Sequence, residues 1–421
     1  MILNTYRIIT NFLYFPFFIY FLLRMLRKKE SLESLKEKNG FYSIKKPPGK
    51  LIWINAISIG ESLSTLSLIK KISTDFPNST ILLTTSTQSS NKVIRNRKIK
   101  NVILQFAPID IQFVMKKFLN YWKPDICILI ESEIWPNLIF HVKKQKIPLI
   151  LLNARMSEKS FKRWSHIKKI SNKLFQEFDL CLVQNEKSKN MFKELGTKNV
   201  EYLGNLKFFS EQLPVNLQKL KEFSNQVKGR DILVLASSHF NEEEIFTNVY
   251  LELKKKHSNL LFIIVPRHVY RSDQITKMLK KKKMNYKLRS NQEKICPLTD
   301  CYLADTFDEL GLFYKTSKCV IIGGSFINHG GQNLIEAANF NCPIITGPYM
   351  DNFIDIEKIF LNKQSIIKLN NSYDACNKIS KILTNQDYTK ELKKKLHDLC
   401  ISEKGKKNII WSKLKAYLKE I

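Results

Sequence analysis

No C-x-x-C pair occurs among the eight cysteines of this 421-residue chain, so neither a zinc site nor a disulfide framework is supported. Several cysteines sit inside apolar runs, as Cys127 does in Ile126–Ile130 and Cys319 does before Val320, which predicts buried free thiols in a reducing compartment. The G-x-G-x-x-G and Walker patterns are missing too, which argues against dehydrogenase and ATPase readings. Zinc-finger spacing, an RRM-type aromatic motif and a basic heptad region are all absent, so no recognition element for nucleic acid is in view. Acidic side chains are scarce: 38 Asp and Glu stand against 69 Lys and Arg, a formal charge of +31.

The lysines are spread along nearly the whole chain together with many Asn and Ile residues. That spread fits compositional drift, and it equally fits an anionic partner. With no nucleic-acid module, an acidic lipid surface is the better electrostatic partner. A hydrophobic content of 44% suffices for proper cores, and the length suits two domains of about 150–200 residues.

Ile8 to Leu23 is apolar and aromatic, and Arg24, Arg27, Lys28 and Lys29 follow at once. No small-residue cleavage site comes after it, which argues against a removable signal peptide. At roughly 16–20 apolar residues the segment is marginal for a span. A short spanning helix and an interfacial anchor both fit, with a core helix as the plain alternative. The basic flank places the remaining chain on the cytoplasmic side.

Beyond Lys46-Pro47-Pro48-Gly49, short apolar runs alternate with longer amphipathic segments, the rhythm of βαβ units and a parallel sheet. Strands are predicted at Leu51–Ile57, Thr80–Thr84, Ile126–Ile130, Leu149–Leu152 and Leu180–Val183. A second set falls at Ile232–Leu235, Leu260–Val265, Cys319–Ile322 and Pro343–Thr346. The charged stretch Glu211–Arg230 between them reads as a linker. The division is therefore an anchor over 1–29, a first α/β domain over 30–210 and a second over 211–421. Ligands of open parallel sheets bind beyond the carboxyl ends of the strands. Here those ends carry polar groups: Gly60-Glu61, Glu131-Ser132-Glu133, Asn153-Ala154-Arg155, Gln184-Asn185-Glu186, Ser238-His239, Arg267-His268 and Gly323-Gly324-Ser325. Two such edges facing one another would form a cleft.

Glu61 opens a helix through Leu63, Leu66 and Ile69, where a carboxylate can act as a general base or simply complement the helix dipole. Glu131 and Glu133 end a wholly apolar strand, and buried carboxylates need partners. Metal ligation is one outlet, but no D-x-D motif exists; pairing with Arg155 or Lys207 is the other. Two glycine-rich turns, Gly323-Gly324-Ser325 and Gly330-Gly331-Gln332-Asn333, precede a helix start at Leu334-Ile335-Glu336. Their backbone amides can hold a phosphate and Glu336 a ribose diol, or they are ordinary loops. Arg267 can pair with a phosphate, and His239 and His268 can donate to one.

These segments resemble the signature motifs of bacterial 3-deoxy-D-manno-octulosonic acid (Kdo) transferases. The likeness lies in Asn55–Glu61, Glu131-Ser132-Glu133-Ile134-Trp135-Pro136-Asn137, Asn153–Ser157, Gln184-Asn185-Glu186, Gly204–Phe208, Pro266-Arg267-His268, Asp305–Leu310 and Gly347-Pro348, in order up to Phe353. The resemblance implies a glycosyltransferase-B fold: two doubly wound domains facing a cleft, with an N-terminal membrane anchor helix. It implies CMP-Kdo as donor, a lipid A precursor as acceptor, inverting transfer without a metal or other cofactor, and residence at the cytoplasmic face of the bacterial inner membrane. On that pattern Glu61 is the base, and Glu131 and Lys207 support the transition state. Pro266, Arg267, Phe307, Asp308, Glu309, Asn333, Leu334, Ile335 and Glu336 match the CMP-holding segments.

The chain departs from the family at several of these places. Asn55 stands where the family usually has His, and Asn241 and Asp308 where it has Gly. Val269-Tyr270 replaces Pro-Glu, and Gln332 and Leu334 replace the His and Pro around Asn333. The Asp308 carboxylate is expected to weaken or reshape donor binding. Competing readings are a related transferase with another nucleotide-sugar and a basic membrane scaffold without catalysis.

Overall fold

The computed structural model describes residues 2–27, 29–97, 99–210 and 212–420. Lys28, counted above in the basic flank, and Glu211, the first residue of the linker and of the second domain, lie outside the described residues.

Two compact units are present, Met1–Ser210 with Gly405–Ile421, and Glu211–Lys404. Each is built on seven parallel strands, the doubly wound α/β architecture expected. The first unit holds β1 (Leu51–Asn55), β2 (Thr80–Thr85), β3 (Val102–Phe106), β4 (Ile126–Ile130), β5 (Leu149–Ala154), β6 (Leu180–Val183) and β7 (Val200–Tyr202). Their order is β3-β2-β1-β4-β5-β6-β7. β1 and β4 lie at the centre and are buried on both faces, which is why they read as unbroken apolar runs. Trp53, Phe118, Trp122, Cys127 and Leu129 form part of the core on one face of this sheet.

The second unit holds β8 (Asp231–Ser238), β9 (Leu260–Pro266), β10 (Tyr286–Leu288), β11 (Cys301–Leu303), β12 (Cys319–Ile322), β13 (Ile344–Thr346) and β14 (Ile367–Lys368). The order is β10-β11-β9-β8-β12-β13-β14. All eight cysteines are free thiols, and six are buried.

The sequence division gave 211–421 wholly to the second domain, and this needs correction at its end. The helix Gln386–Glu420 is continuous, yet from Gly405 onward it belongs to the first unit. There Lys413 pairs with Glu201 at 2.7 Å, Tyr417 donates to the Asp179 carbonyl at 3.0 Å, and Leu414 is fully buried.

At the amino end, helix α1 (Ile2–Phe12) meets α2 (Tyr14–Leu26) at a bend of 41°. Pro16 accounts for the break: it has no N–H to offer the Phe12 carbonyl, and its ring crowds that oxygen. Among the described residues no single helix is long and apolar enough to cross a membrane; the bent pair together meets length and composition.

Candidate active site

In an open α/β sheet the crevice lies where the strand order reverses. In the first unit that point is between β1 and β4, the strands followed by Glu61 and Glu131. Ser58 caps the helix Ile59–Asp75, accepting from the Glu61 N–H at 3.2 Å. The Glu61 carboxylate turns back, taking the Ile57 N–H at 2.8 Å and the Ser58 hydroxyl at 2.8 Å. This reciprocal cap fixes the carboxylate in the first turn. Burial pushes its pKa up, with the Glu131 charge adding to the rise; the Ser58 hydroxyl and the Ile57 N–H pull it partly back. A carboxylate so held is a stronger base than one free in water.

Alternation along an extended strand would have put Glu131 and Glu133 on one side. The strand instead ends at Ile130, and Glu131 adopts a left-handed backbone, φ 61°. Its carboxylate meets the Lys207 ammonium at 3.5 Å and the Asn153 amide at 3.3 Å. Lys207, one of the two cations the sequence offered, thus pairs with Glu131, and the pair lies wholly within the first unit. Lys207 sits in the short 3-10 turn Leu206–Phe209, capped by Asn205. Asn153 accepts from the Leu206 N–H, its carbonyl accepts from Gln184, and Gln184 accepts from Asn205. Asn153 near the end of β5, Gln184 after β6 and Asn205 after β7 thus form a relay of amides that positions Lys207 against Glu131. Glu133, which the sequence offered with Glu131 for metal ligation or ion pairing, is bonded by the Trp135 ring N–H. Burial lifts its pKa to about 7, with Glu61 and Glu131 adding to the effect and a hydrogen bond from Trp135 opposing it.

In the second unit the order reverses between β8 and β12. The turns after them, Ser238-His239 and Gly323-Gly324-Ser325, are tied together by one side chain. Fully buried Glu242 accepts the N–H groups of His239 (3.0 Å), Gly324 (2.6 Å) and Phe326 (3.1 Å). The Gly323 and Gly331 N–H groups go to the carbonyls of Ala236 and Gly324. These amides are spent inside the protein, where they hold the glycine-rich turns in shape. Gly323 is required for close approach, since a Cβ there would come within 2.2 Å of the Ser237 carbonyl oxygen. The helix after them, Leu334–Ala338, has only five residues and little dipole to offer.

Polar side chains gather at this edge instead. Pro266 ends β9, and Arg267 beside it is exposed. The His239 ring lies 3.8 Å from that of His329 and 6.0 Å from that of His268, and Gln332 bonds its Nε2 at 3.0 Å. Burial lowers the His239 pKa to about 4, helped by the neighbouring histidines, Arg267 and Arg271. Asn333 caps the short helix and donates to Glu336 at 3.1 Å, while Leu334 and Ile335 are buried. Burial raises the Glu336 pKa, and Arg267 is close enough to oppose the shift. Phe307 is 76% exposed.

Asp308 has φ 59°, the backbone region that favours glycine. Glu309 is heavily engaged: Arg289 grips it at 2.8 and 3.0 Å, Lys219 at 2.8 Å and the Thr306 hydroxyl at 2.6 Å. Arg289 above all holds its pKa down at about 2. Two structural carboxylates escaped the sequence reading, Glu242 and Glu243; the latter pins Arg271 at 2.7 Å.

Residues 33–210 match the family model described as 3-deoxy-D-manno-octulosonic-acid transferase (kdotransferase). The chain is 36% identical over 384 residues to a 3-deoxy-D-manno-octulosonic acid transferase of Rickettsia bellii, covering 91% of each chain. To the enzyme of that name from Haemophilus influenzae it is 30% identical, covering 92% of each. The fold resembles that of a UDP-GlcNAc 2-epimerase from Neisseria meningitidis, with TM-score 0.60 at 14% identity over 87% of this chain and all of the other.

Proposed function

We propose the donor, acceptor and base for a chain that belongs to the 3-deoxy-D-manno-octulosonic acid transferase family and transfers Kdo in lipopolysaccharide biosynthesis. The donor is CMP-Kdo, and the acceptor is the glucosamine 6′-hydroxyl of a lipid A precursor. The hydroxyl oxygen attacks the Kdo anomeric carbon while the Glu61 carboxylate takes its proton. The bond from that carbon to the phosphate oxygen breaks, and CMP leaves with the electron pair, inverting the centre. Lys207, aimed by Glu131, offsets negative charge around the sugar carboxylate and the departing phosphate. On the second unit, Arg267 offers a cation for the phosphate, and the ring N–H groups of the histidines beside it offer hydrogen bonds. Phe307 and the segment from Asn333 to Glu336 hold the nucleoside, and no metal takes part.

The observation that carries this reading is the cluster at the first switch point. A capped, raised-pKa Glu61 stands beside a Glu131–Lys207 ion pair, and both flank the crevice predicted by strand order. Residence at the cytoplasmic face of the bacterial inner membrane is supported by the outward apolar rings of α1 and α2, Phe12 at 80% and Phe15 at 69% exposed, and by the charge of +31. The test is incubation of the purified protein with lipid A precursor and CMP-Kdo made in situ, chelator present, and mass measurement of the lipid. A gain of Kdo is expected. A gain only when another nucleotide-sugar is supplied would transfer the assignment to that donor.

A further inference from the structure

Beneath α1 and α2 lies a cavity of about 550 Å³. Phe17 and Phe21 of α2 line its roof, and Ile109, Met115 and Leu138 of the sheet domain line its floor. Protein interiors are close-packed, with few voids larger than a water molecule. An apolar space of this size is in the range of ligand pockets, roughly 300–1,000 Å³.

Polar clamps at both ends hold the roof off the floor. At one end the Tyr6 hydroxyl donates to Asp110 at 2.9 Å, and Asp110 also takes the N–H groups of Asn137 and Leu138. At the other, Glu30 is gripped by Arg24 at 3.2 Å and by Lys38 at 2.9 Å, with the Ser34 hydroxyl at 2.5 Å. These groups satisfy one another and leave apolar wall between them. A peptide inserted there would bury backbone N–H and C=O groups without partners, whereas an alkyl chain would not.

Asn55 and Ile57 also line the cavity, and the Ile57 N–H is a donor to Glu61. The space therefore runs from the underside of the outward-facing apolar helices to the residue that holds the base. We propose that it receives an acyl chain of the lipid acceptor, drawn in from the bilayer, so that the attached sugar hydroxyl is presented to Glu61. This deepens, and rests on, the lipid-acceptor assignment above.

Two measurements on the full-length protein test it. The first compares the KM for the acylated lipid A precursor with that for the same headgroup after deacylation, in wild type and in Ile109→Trp, which fills the vault. Losing contact with several methylenes should raise the ratio of the two KM values about tenfold or more in the variant. An equal change for both acceptors, or none for either, would overturn the proposal. The second uses wild type in phosphatidylethanolamine–phosphatidylglycerol vesicles carrying acceptor with a diazirine at an acyl terminus. Photolabelling of Ile109 or Met115 is expected, and label confined to outward residues such as Phe12 and Phe15 would contradict it. The labelling arm needs no donor and no turnover. A wild type that labels the vault yet transfers to neither acceptor would count against the reaction and leave the acyl site standing.

Discussion

Lys207 holds its ammonium 3.5 Å from the Glu131 carboxylate, and the two sit in the same unit as Glu61. Because the pair is partly exposed, at 22% and 15% of their side chains, its net worth to folding is small, of the order of 1 kcal/mol or less. In the proposed mechanism its value is to aim a cation at charge that develops during transfer. Lys207→Met is expected to lower kcat by about a hundredfold or more while leaving the urea midpoint nearly in place. A large fall in stability with kcat preserved would make the pair purely structural.

The raised pKa of Glu61 gives a pH prediction. A base must be ionised, so kcat/KM should fall as pH drops through a pKa above the ordinary 4.5 of glutamate. Glu131 is one source of the rise, so Glu131→Gln should move the acid limb toward lower pH even though activity declines as Lys207 loses its partner. An acid limb that stays in place in the variant would remove Glu131 from the titration.

Glu242 is the strut of the second unit. In Glu242→Ala the N–H groups of His239, Gly324 and Phe326 lose their acceptor, at about 1–3 kcal/mol for each group left without a partner. A large loss of stability is expected by denaturant unfolding, with CMP binding reduced alongside, and a milder loss in Glu242→Gln. Wild-type stability in the alanine variant would show that water replaces the carboxylate freely.

Asp308 has φ 59°, so Asp308→Ala should be less stable than Asp308→Gly by about 1 kcal/mol. On the donor site proposed above, the glycine variant should also bind CMP-Kdo more tightly, because a carboxylate that would repel the donor's phosphate is removed. Calorimetry showing the same affinity in wild type and glycine variant would acquit Asp308.

Glu309 links stability to pH. Its folded pKa, about 2, lies below its unfolded value, so the stability it contributes is present above about 4.5. It is lost as pH falls from there through 2. Solvent screens part of the attraction, leaving about 1–2 kcal/mol. Glu309→Gln should therefore narrow the difference in stability between pH 6 and pH 3, as followed by urea unfolding.

The central strands were readable because each is buried on both faces: β4 is Ile-Cys-Ile-Leu-Ile and was bounded correctly, as was β12. The edge strands β3, β7, β10 and β14 were not, nor was β11. β7, β10 and β14 have three residues or fewer and carry no apolar run, whereas β3 does carry Val102-Ile103-Leu104 but is half exposed there and went unread. Polar strand ends pointed to the crevice, but not to how they share the work. Asn153, Gln184 and Asn205 brace Lys207 through contacts spanning tens of residues, which spacing does not encode. Glu242 lies in Asn241-Glu242-Glu243-Glu244, a stretch that reads as an ordinary acidic helix start. The left-handed turn at Glu131 has no glycine to announce it, and nothing in the sequence marks the return of 405–421 to the first unit.

The most direct measurement is single-turnover Kdo transfer to lipid A precursor by Glu61→Ala beside wild type, read as lipid mass, with CMP affinity measured on the same samples. Transfer slowed by about a hundredfold or more, with CMP affinity unchanged, is the predicted result. Transfer at the wild-type rate in the variant would place the base elsewhere and contradict the account.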